Sequence, residues 1–257
     1  MLWSFRVGLC LDVVVMSIFV LYVAAVDPIP TPSPNPSTEL QAENVSGAAA
    51  MGALYPDGSP AVLWMNYTGS PGWVISLSGG GWRFLSQTAS TEVPPPLYSD
   101  GLDPLTVEAG GNELCYGSCD GIMSNDPDIN PLFHSFNKVW VPISGTSFTG
   151  DRTTDKPYPV RGARILGAVI AHLQTHRNMR AASDIILTGG SSGGLATYLV
   201  CDRVAALVAA QNLTTRYSCL ADAGFFLDHD SMSGAPSQSP SFKESFYAWN
   251  STGALAV

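Results

Sequence analysis

Charge is what this sequence has least of. Only 13% of its 257 residues are Asp, Glu, Lys or Arg, and 12 Lys and Arg face 21 Asp and Glu, for a net charge of -9. So few cations leave no electrostatic footprint for phosphate, which excludes nucleic acid and an anionic membrane surface as partners. Histidine is scarcer still, at His134, His172, His176 and His229. Cysteine numbers five, and the Cys115-x3-Cys119 spacing has no second pair or nearby histidine to complete a four-ligand zinc set. His172 and His176 stand one helical turn apart, a spacing that metal ligands share, but we read both as polar side chains on the helix's solvent face; no metal is expected. The glycine runs lack both a Walker lysine and the G-x-G-x-x-G spacing, so no phosphate cradle is expected, nor an organic cofactor. The apolar run from Val13 to Val23 falls short of the ~20 residues that span a bilayer.

What is present points to the secretory route. Arg6, the apolar run and the small residues Val23-Ala24-Ala25 together read as a signal peptide over residues 1–25. Its removal would also remove Cys10, leaving an even set (Cys115, Cys119, Cys201, Cys219) suited to disulfides in an oxidising compartment. Four N-x-S/T triplets, at Asn44, Asn66, Asn212 and Asn250, are candidate glycosylation sites. Residues 26–40 are Pro-rich and expected to form a disordered linker. With 46% apolar and 10% aromatic residues, the chain can bury a substantial core, assigned to one domain over 41–257. After signal removal no stable membrane insertion is expected, and the product is expected outside the cell or in a cell wall.

Within that domain strand-like and helix-like segments alternate. Trp73–Leu77, Lys138–Ile143 and Asp184–Thr188 read as short buried strands. Ile165, Leu166, Val169, Ile170 and Leu173 form a helical stripe within Arg161–His176, and Leu195–Ala210 reads as a second helix. Such alternation implies an α/β domain with a mostly parallel sheet covered on both faces. The stretch from Gly81 to Asn137 reads as loop, of a length that usually covers an active site.

The third strand runs into Gly189-Gly190-Ser191-Ser192-Gly193-Gly194 and then into a helix. G-x-S-x-G between strand and helix is the nucleophile-elbow pattern: a serine hydroxyl is a poor nucleophile unless held exposed on a sharp turn beside a base. The pattern fits in two frames, centred on Ser191 or on Ser192, and spacing alone leaves both open. Gly79-Gly80-Gly81-Trp82, at the end of the first strand, is placed to donate a second N–H to an oxyanion.

Several segments resemble the pectin acetylesterase and Notum carboxylesterase family. They are GALYPDGSP, SGGGW, NDPDINPLFHSFNKVWVPISGTSFTGD, VRGARILGAVIAHL, DIILTGGSSGGLATYLVCDRVAAL and CLADAGFFLD, in the family's order from about Gly52 to Asp228. The resemblance implies an α/β-hydrolase-like three-layer fold and a serine carboxylesterase acting through an acyl-serine. The family's G-x-S-A-G-G implies Ser191 as nucleophile, with backbone N–H groups of Gly81, Trp82 and Ser192 as the oxyanion hole. It further implies a Cys201–Cys219 disulfide, leaving Cys115 with Cys119. Arg83 and Ile143 stand where plant members carry cysteine. The implied substrate is acetylated polysaccharide or, as in Notum, an acylated protein. The family's acid and histidine lie beyond D-A-G-F-F, past Val257, so we expect a C-terminally truncated domain from a longer product. A triad-less binding protein is the alternative, and a local Asp222–His229 pair is disfavoured.

Overall fold

The computed structural model describes residues 40–55, 58–79, 121–143, 148–153, 159–210, 214–236 and 238–255. The signal-peptide reading, Asn212, Gly80 to Trp82, Arg83, Cys115 and Cys119 lie outside these residues.

Six strands form one sheet in the order β1-β2-β4-β3-β5-β6. They are β1 (Gln41–Asn44), β2 (Val62–Asn66), β3 (Gly72–Leu77), β4 (Asn137–Val141), β5 (Asp184–Gly190) and β6 (Arg216–Asp222). β1 and β2 pair antiparallel, as do β2 and β4, whereas β4-β3-β5-β6 are all parallel neighbours. The helices are α1 (Gly162–His176), α2 (Ser192–Ala209), α3 (Ser239–Ala248) and the single turn α4 (Thr252–Leu255). This is a mostly parallel α/β sheet of the α/β-hydrolase kind.

The three strands expected from their apolar runs are β3, β4 and β5. β4 stops at Val141, one residue before Pro142, which cannot donate to a ladder. β1, β2 and β6 were not expected: β1 has three polar residues in four and β6 an alternating burial pattern, whereas β2 is an apolar run buried over Val62–Met65 that went unread. All five residues of the expected α1 stripe are buried. They join Ile75, Leu77, Val139, Val141, Ile185 and Leu187 from the sheet, and Val200 and Val204 from α2, in the main core. The opposite sheet face carries a smaller cluster of Leu40, Trp64, Val74 and Met123, with Phe133 and Phe136 packed against it. The 121–136 segment, expected to be loop, thus serves as that face's cover.

Two polar devices fasten the sheet. Buried Asn137 saturates its amide: Nδ2 donates to the carbonyls of Ser70 and Gly72 at 2.7 and 2.9 Å, and Oδ1 accepts from Thr68 and Gly69 N–H at 2.9 and 3.1 Å. Lys138 is fully buried, donating from Nζ to the carbonyls of Phe133 and Phe136 and sitting 5.9 Å from the Phe136 ring centre. Burial disfavours the ammonium form and lowers its pKa to about 8.

That shift has a definite sign. Below pH 8 Lys138 is protonated folded and unfolded, and the fold carries the cost of burying the cation. Between about 8 and 10.5 the unfolded chain still binds the proton and the native chain does not, so native stability rises with pH. We therefore expect the stability difference between wild type and Lys138→Met to move in favour of wild type across that window. Urea unfolding at several pH values reads this; a flat difference contradicts it.

Candidate active site

The site is built where β5 meets α2. β5 runs through Gly190 and α2 starts at Ser192, so the whole reversal falls on Ser191, with φ 56° and ψ −124°. A non-glycine residue at positive φ costs on the order of 1–3 kcal/mol, and neighbouring bonds must hold it there. Two do: Ser191 N–H donates to the Asp222 carbonyl at 3.0 Å, and Leu195 N–H donates to the Ser191 carbonyl at 3.1 Å. The elbow is thereby pinned to the end of β6 on one side and to the first turn of α2 on the other.

The surrounding glycines differ in the room they leave for a side chain. A Cβ on Gly189 would lie 2.5 Å from the Gly193 carbonyl oxygen, and one on Gly193 would lie 2.3 Å from the Leu77 carbonyl oxygen. Neither position accepts a side chain. Gly190, by contrast, has nothing within 4 Å of such an atom. The frame centred on Ser191 has glycine at 189 and 193, and the frame centred on Ser192 has it at 190 and 194; a Cβ on Gly194 would lie 2.3 Å from the Asp222 carbonyl oxygen, so Gly190 alone of the four has open space.

The two hydroxyls differ accordingly. Ser191 is exposed, whereas Ser192 is fully buried and its Oγ has no hydrogen-bond partner among the described residues. An alanine at 192 would remove an unsatisfied hydroxyl while keeping the backbone N–H. As the first residue of α2, Ser192 has no intrahelical acceptor for that N–H, nor has Gly193, and both amides lie at the positive end of the helix dipole. The arrangement offers an accessible hydroxyl beside amide donors, at the carboxyl ends of parallel strands where α/β sheets bind ligands.

Of the glycine turn after β3, Gly79 is described. Its missing Cβ would lie 2.8 Å from the Gly190 carbonyl oxygen and 3.6 Å from Ser191 Cβ, so this turn begins against the elbow. The closeness of Gly224 to Gly194, where a Cβ on Gly224 would meet Gly194 backbone carbon at 2.3 Å, was not anticipated. D-A-G-F-F was the signal for it: a glycine after a strand end marks close backbone approach. Asp228, closing that segment, accepts the Ser239 N–H at 3.0 Å and the Ser239 hydroxyl, which hold its pKa below the usual carboxylate range.

The histidines are placed elsewhere. The structure corrects the surface reading of His172, which is 4% exposed: Nδ1 accepts the Ser46 N–H at 3.0 Å, leaving Nε2 to donate to Glu43 at 2.7 Å. Glu43 also binds Arg177 at 2.8 Å. Although burial opposes ionisation, the bonds from Arg177 and His172 keep the Glu43 pKa below its ordinary value. The helix spacing therefore served to tie α1 to β1 through His172, with His176 exposed beside it. His229 is exposed with Nδ1 2.6 Å from the Asp230 carbonyl oxygen, and the Asp222 carboxylate does not bond it. Among the described residues no histidine is hydrogen-bonded to Ser191.

Cys201 on α2 and Cys219 on β6 are joined by a disulfide, Cα atoms 6.1 Å apart, which ties the helix following the elbow to the edge strand. Of the candidate glycosylation sites, Asn44 and Asn250 are exposed and Asn66 is half-buried.

A mostly parallel sheet with an exposed serine on a glycine-walled strand-to-helix turn defines a domain of the α/β-hydrolase kind. The pectinacetylesterase family profile matches residues 34–254, and the chain belongs to that family. Among its relatives is pectin acetylesterase 11 of Arabidopsis thaliana, 31% identical over 211 residues, covering 79% of this chain and 49% of the relative. Palmitoleoyl-protein carboxylesterase notum2 of Xenopus laevis is 32% identical over 176 residues, 67% of this chain and 34% of the relative. Human palmitoleoyl-protein carboxylesterase NOTUM is 28% identical over 178 residues, again 67% and 34%. The chain thus spans about half the length of the pectin acetylesterase and a third of the Notum relatives.

The glycine geometry sets a clear contrast. Gly193→Ala forces a methyl onto a backbone carbonyl and is expected to cost about 1–3 kcal/mol or more. Gly190→Ala enters open space and should change stability by less than about 0.5 kcal/mol. Thermal unfolding of both variants tests this, and equal effects would refute the contrast.

Proposed function

We propose that this chain carries the nucleophile half of a secreted serine carboxylesterase that removes O-acetyl groups from extracellular or cell-wall polysaccharide. The observation that carries the reading is the exposed Ser191 hydroxyl, held at a one-residue positive-φ turn beside unpaired helix amides, with the Ser192 hydroxyl buried next to it. Ser191 Oγ attacks the ester carbonyl carbon while its proton passes to a histidine. The carbonyl oxygen becomes an oxyanion received by N–H groups of Ser192, Gly81 and Trp82. Collapse expels the sugar hydroxyl, which takes the proton from the histidine, and leaves an acetyl-serine. Water then attacks that ester, acetate departs, and Ser191 regains its proton. On this reading the histidine and its acid belong to the part of the relatives' length that this chain does not span. No metal or cofactor enters any step.

The acetyl preference follows the pectin acetylesterase relatives, and the disulfide and the N-terminal signal pattern support the extracellular location. A second reading, a Notum-like deacylase for longer chains, rests on a separate observation. An apolar cleft of about 320 Å³ is lined by Leu195, one turn beyond Ser191 on α2, and by Leu199, Phe242, Phe246, Trp249 and Leu255. A cleft of that size and polarity suits an alkyl chain rather than a sugar.

Labelling of the secreted longest product with a fluorophosphonate tests the nucleophile. We expect labelling of wild type and of Ser192→Ala, and its loss in Ser191→Ala; the reverse pattern moves the nucleophile, and no labelling at all supports a ligand-holding protein without catalysis. Model esters separate the two substrates. Faster turnover of acetyl than octanoyl ester supports the polysaccharide reading, and the opposite order supports the deacylase.

A further inference from the structure

β3 and β4 run side by side and stop together, at Leu77 and Val141. Ser78 adds one bond past the end of β3, its N–H donating to the Val141 carbonyl at 3.2 Å. The next rung of a parallel ladder would run from the Ile143 N–H to the Ser78 carbonyl. Instead the Ile143 N–H turns back to the Val141 carbonyl at 3.0 Å, closing a γ-turn on Pro142, whose ring holds φ in the range that turn uses. The Ser78 hydroxyl replaces the missing rung by donating to the Ile143 carbonyl. Ser78 and Ile143 are both 3% exposed, so water is not at hand to substitute for that bond.

Because the rung is replaced, the Ser78 carbonyl is left to face the elbow. A Cβ on Gly193 would lie 2.8 Å from the Ser78 carbonyl oxygen and 2.9 Å from its carbon. A Cβ on the next residue, Gly79, would lie 2.8 Å from the Gly190 carbonyl oxygen and 3.6 Å from Ser191 Cβ. The Ser78–Gly79 peptide therefore meets the first turn of α2 on one side and the elbow on the other.

We propose that Ser78 is a positioning residue for ester cleavage. Its hydroxyl bond to Ile143 fixes the peptide on which Gly193 rests, and so fixes the Ser192 and Gly193 amides relative to Ser191 Oγ. Ser78 is buried and acts only through these neighbours. Without the hydroxyl, the Ile143 carbonyl is left buried and short of a donor, and the peptide tilts to relieve it. Close-packed backbone passes such a tilt to α2 rather than absorbing it. A displacement of about 1 Å at a reacting group can cost on the order of 10²-fold in rate, so a fraction of that distance is enough to be read. This inference rests on the reading of Ser191 as nucleophile.

The kinetics of fluorophosphonate labelling of the secreted longest product separate binding from attack. The half-saturating probe concentration reports binding, and the limiting rate reports attack by Ser191. Ser78→Ala should lower the limiting rate roughly tenfold, less than the ~10²–10³ for loss of an oxyanion donor itself, and leave the half-saturating concentration unchanged. Ser78→Thr keeps the hydroxyl and should restore the rate, whereas Ser78→Val, of the same shape without it, should not. That pair carries the test should Ser78→Ala fail to fold. Thr215→Val is the control, since Thr215 Oγ1 donates to the Ala182 carbonyl at 2.9 Å beside the amino ends of β5 and β6, and it should label at the wild-type rate. A labelled wild type with Ser78→Ala or Ser78→Val equally fast overturns this inference alone. So does a Thr215→Val variant slowed as much as Ser78→Ala, because the loss then follows stability. A wild type that is never labelled overturns the nucleophile reading, and this inference with it.

Discussion

The structure turns on how closely the first turn of α2 approaches the ends of β3 and β5. Main-chain oxygens of Leu77 and Ser78 lie where a Cβ of Gly193 would be, and the Gly193 carbonyl lies where a Cβ of Gly189 would be. Contact of this kind is possible only where the side chain is hydrogen. It shortens the strand-to-helix reversal to a single residue, and that residue takes up a conformation it would not otherwise hold. Exposure of Ser191 and burial of Ser192 are both consequences: a reversal on one residue throws its side chain outward and folds the next one under the helix.

The same approach gathers three sequence-distant strands at one point. Gly79 at the end of β3, the Asp222 carbonyl at the end of β6 and the elbow after β5 come together because these strands are parallel neighbours whose carboxyl ends coincide. The Cys201–Cys219 bond reinforces this arrangement by fixing α2 to β6 nearly three turns past the elbow. Polar groups distant from the elbow secure the framework instead: Glu43, His172 and Arg177 join α1 to β1, and Asn137 closes the β2–β3 turn onto β4. Membership in the pectinacetylesterase family accords with this division between a site at the strand ends and a scaffold behind it.

The asymmetry of the sheet follows from what covers it. Described helices and the 121–136 segment shield the strands from β2 to β5, and β6 is left with an alternating burial pattern unlike its parallel neighbours. Parallel strands are ordinarily buried on both faces. Leu220, Phe225 and Leu227 remain open to solvent around that strand, at 49%, 77% and 63% exposure.

What the amino-acid order determined by itself was local and periodic. The apolar runs of β3, β4 and β5, the stripe of α1 and the glycine-serine elbow were legible because burial on a helix or a central strand leaves a repeating mark in the chain. Motif order further identified the family and the Cys201–Cys219 pair. Tertiary structure added what spacing could not show: Ser191 lies exposed and Ser192 buried, and of the glycines in the two frames Gly190 alone has open space around it. It alone turned His172 from a surface residue into a buried link to Glu43, since helical spacing cannot say what lies opposite a side chain. β1 and β6 were missed for a related reason, since a half-solvated strand need not be apolar until a neighbour defines its faces; β2 was missed although its Val62–Met65 run is apolar and buried.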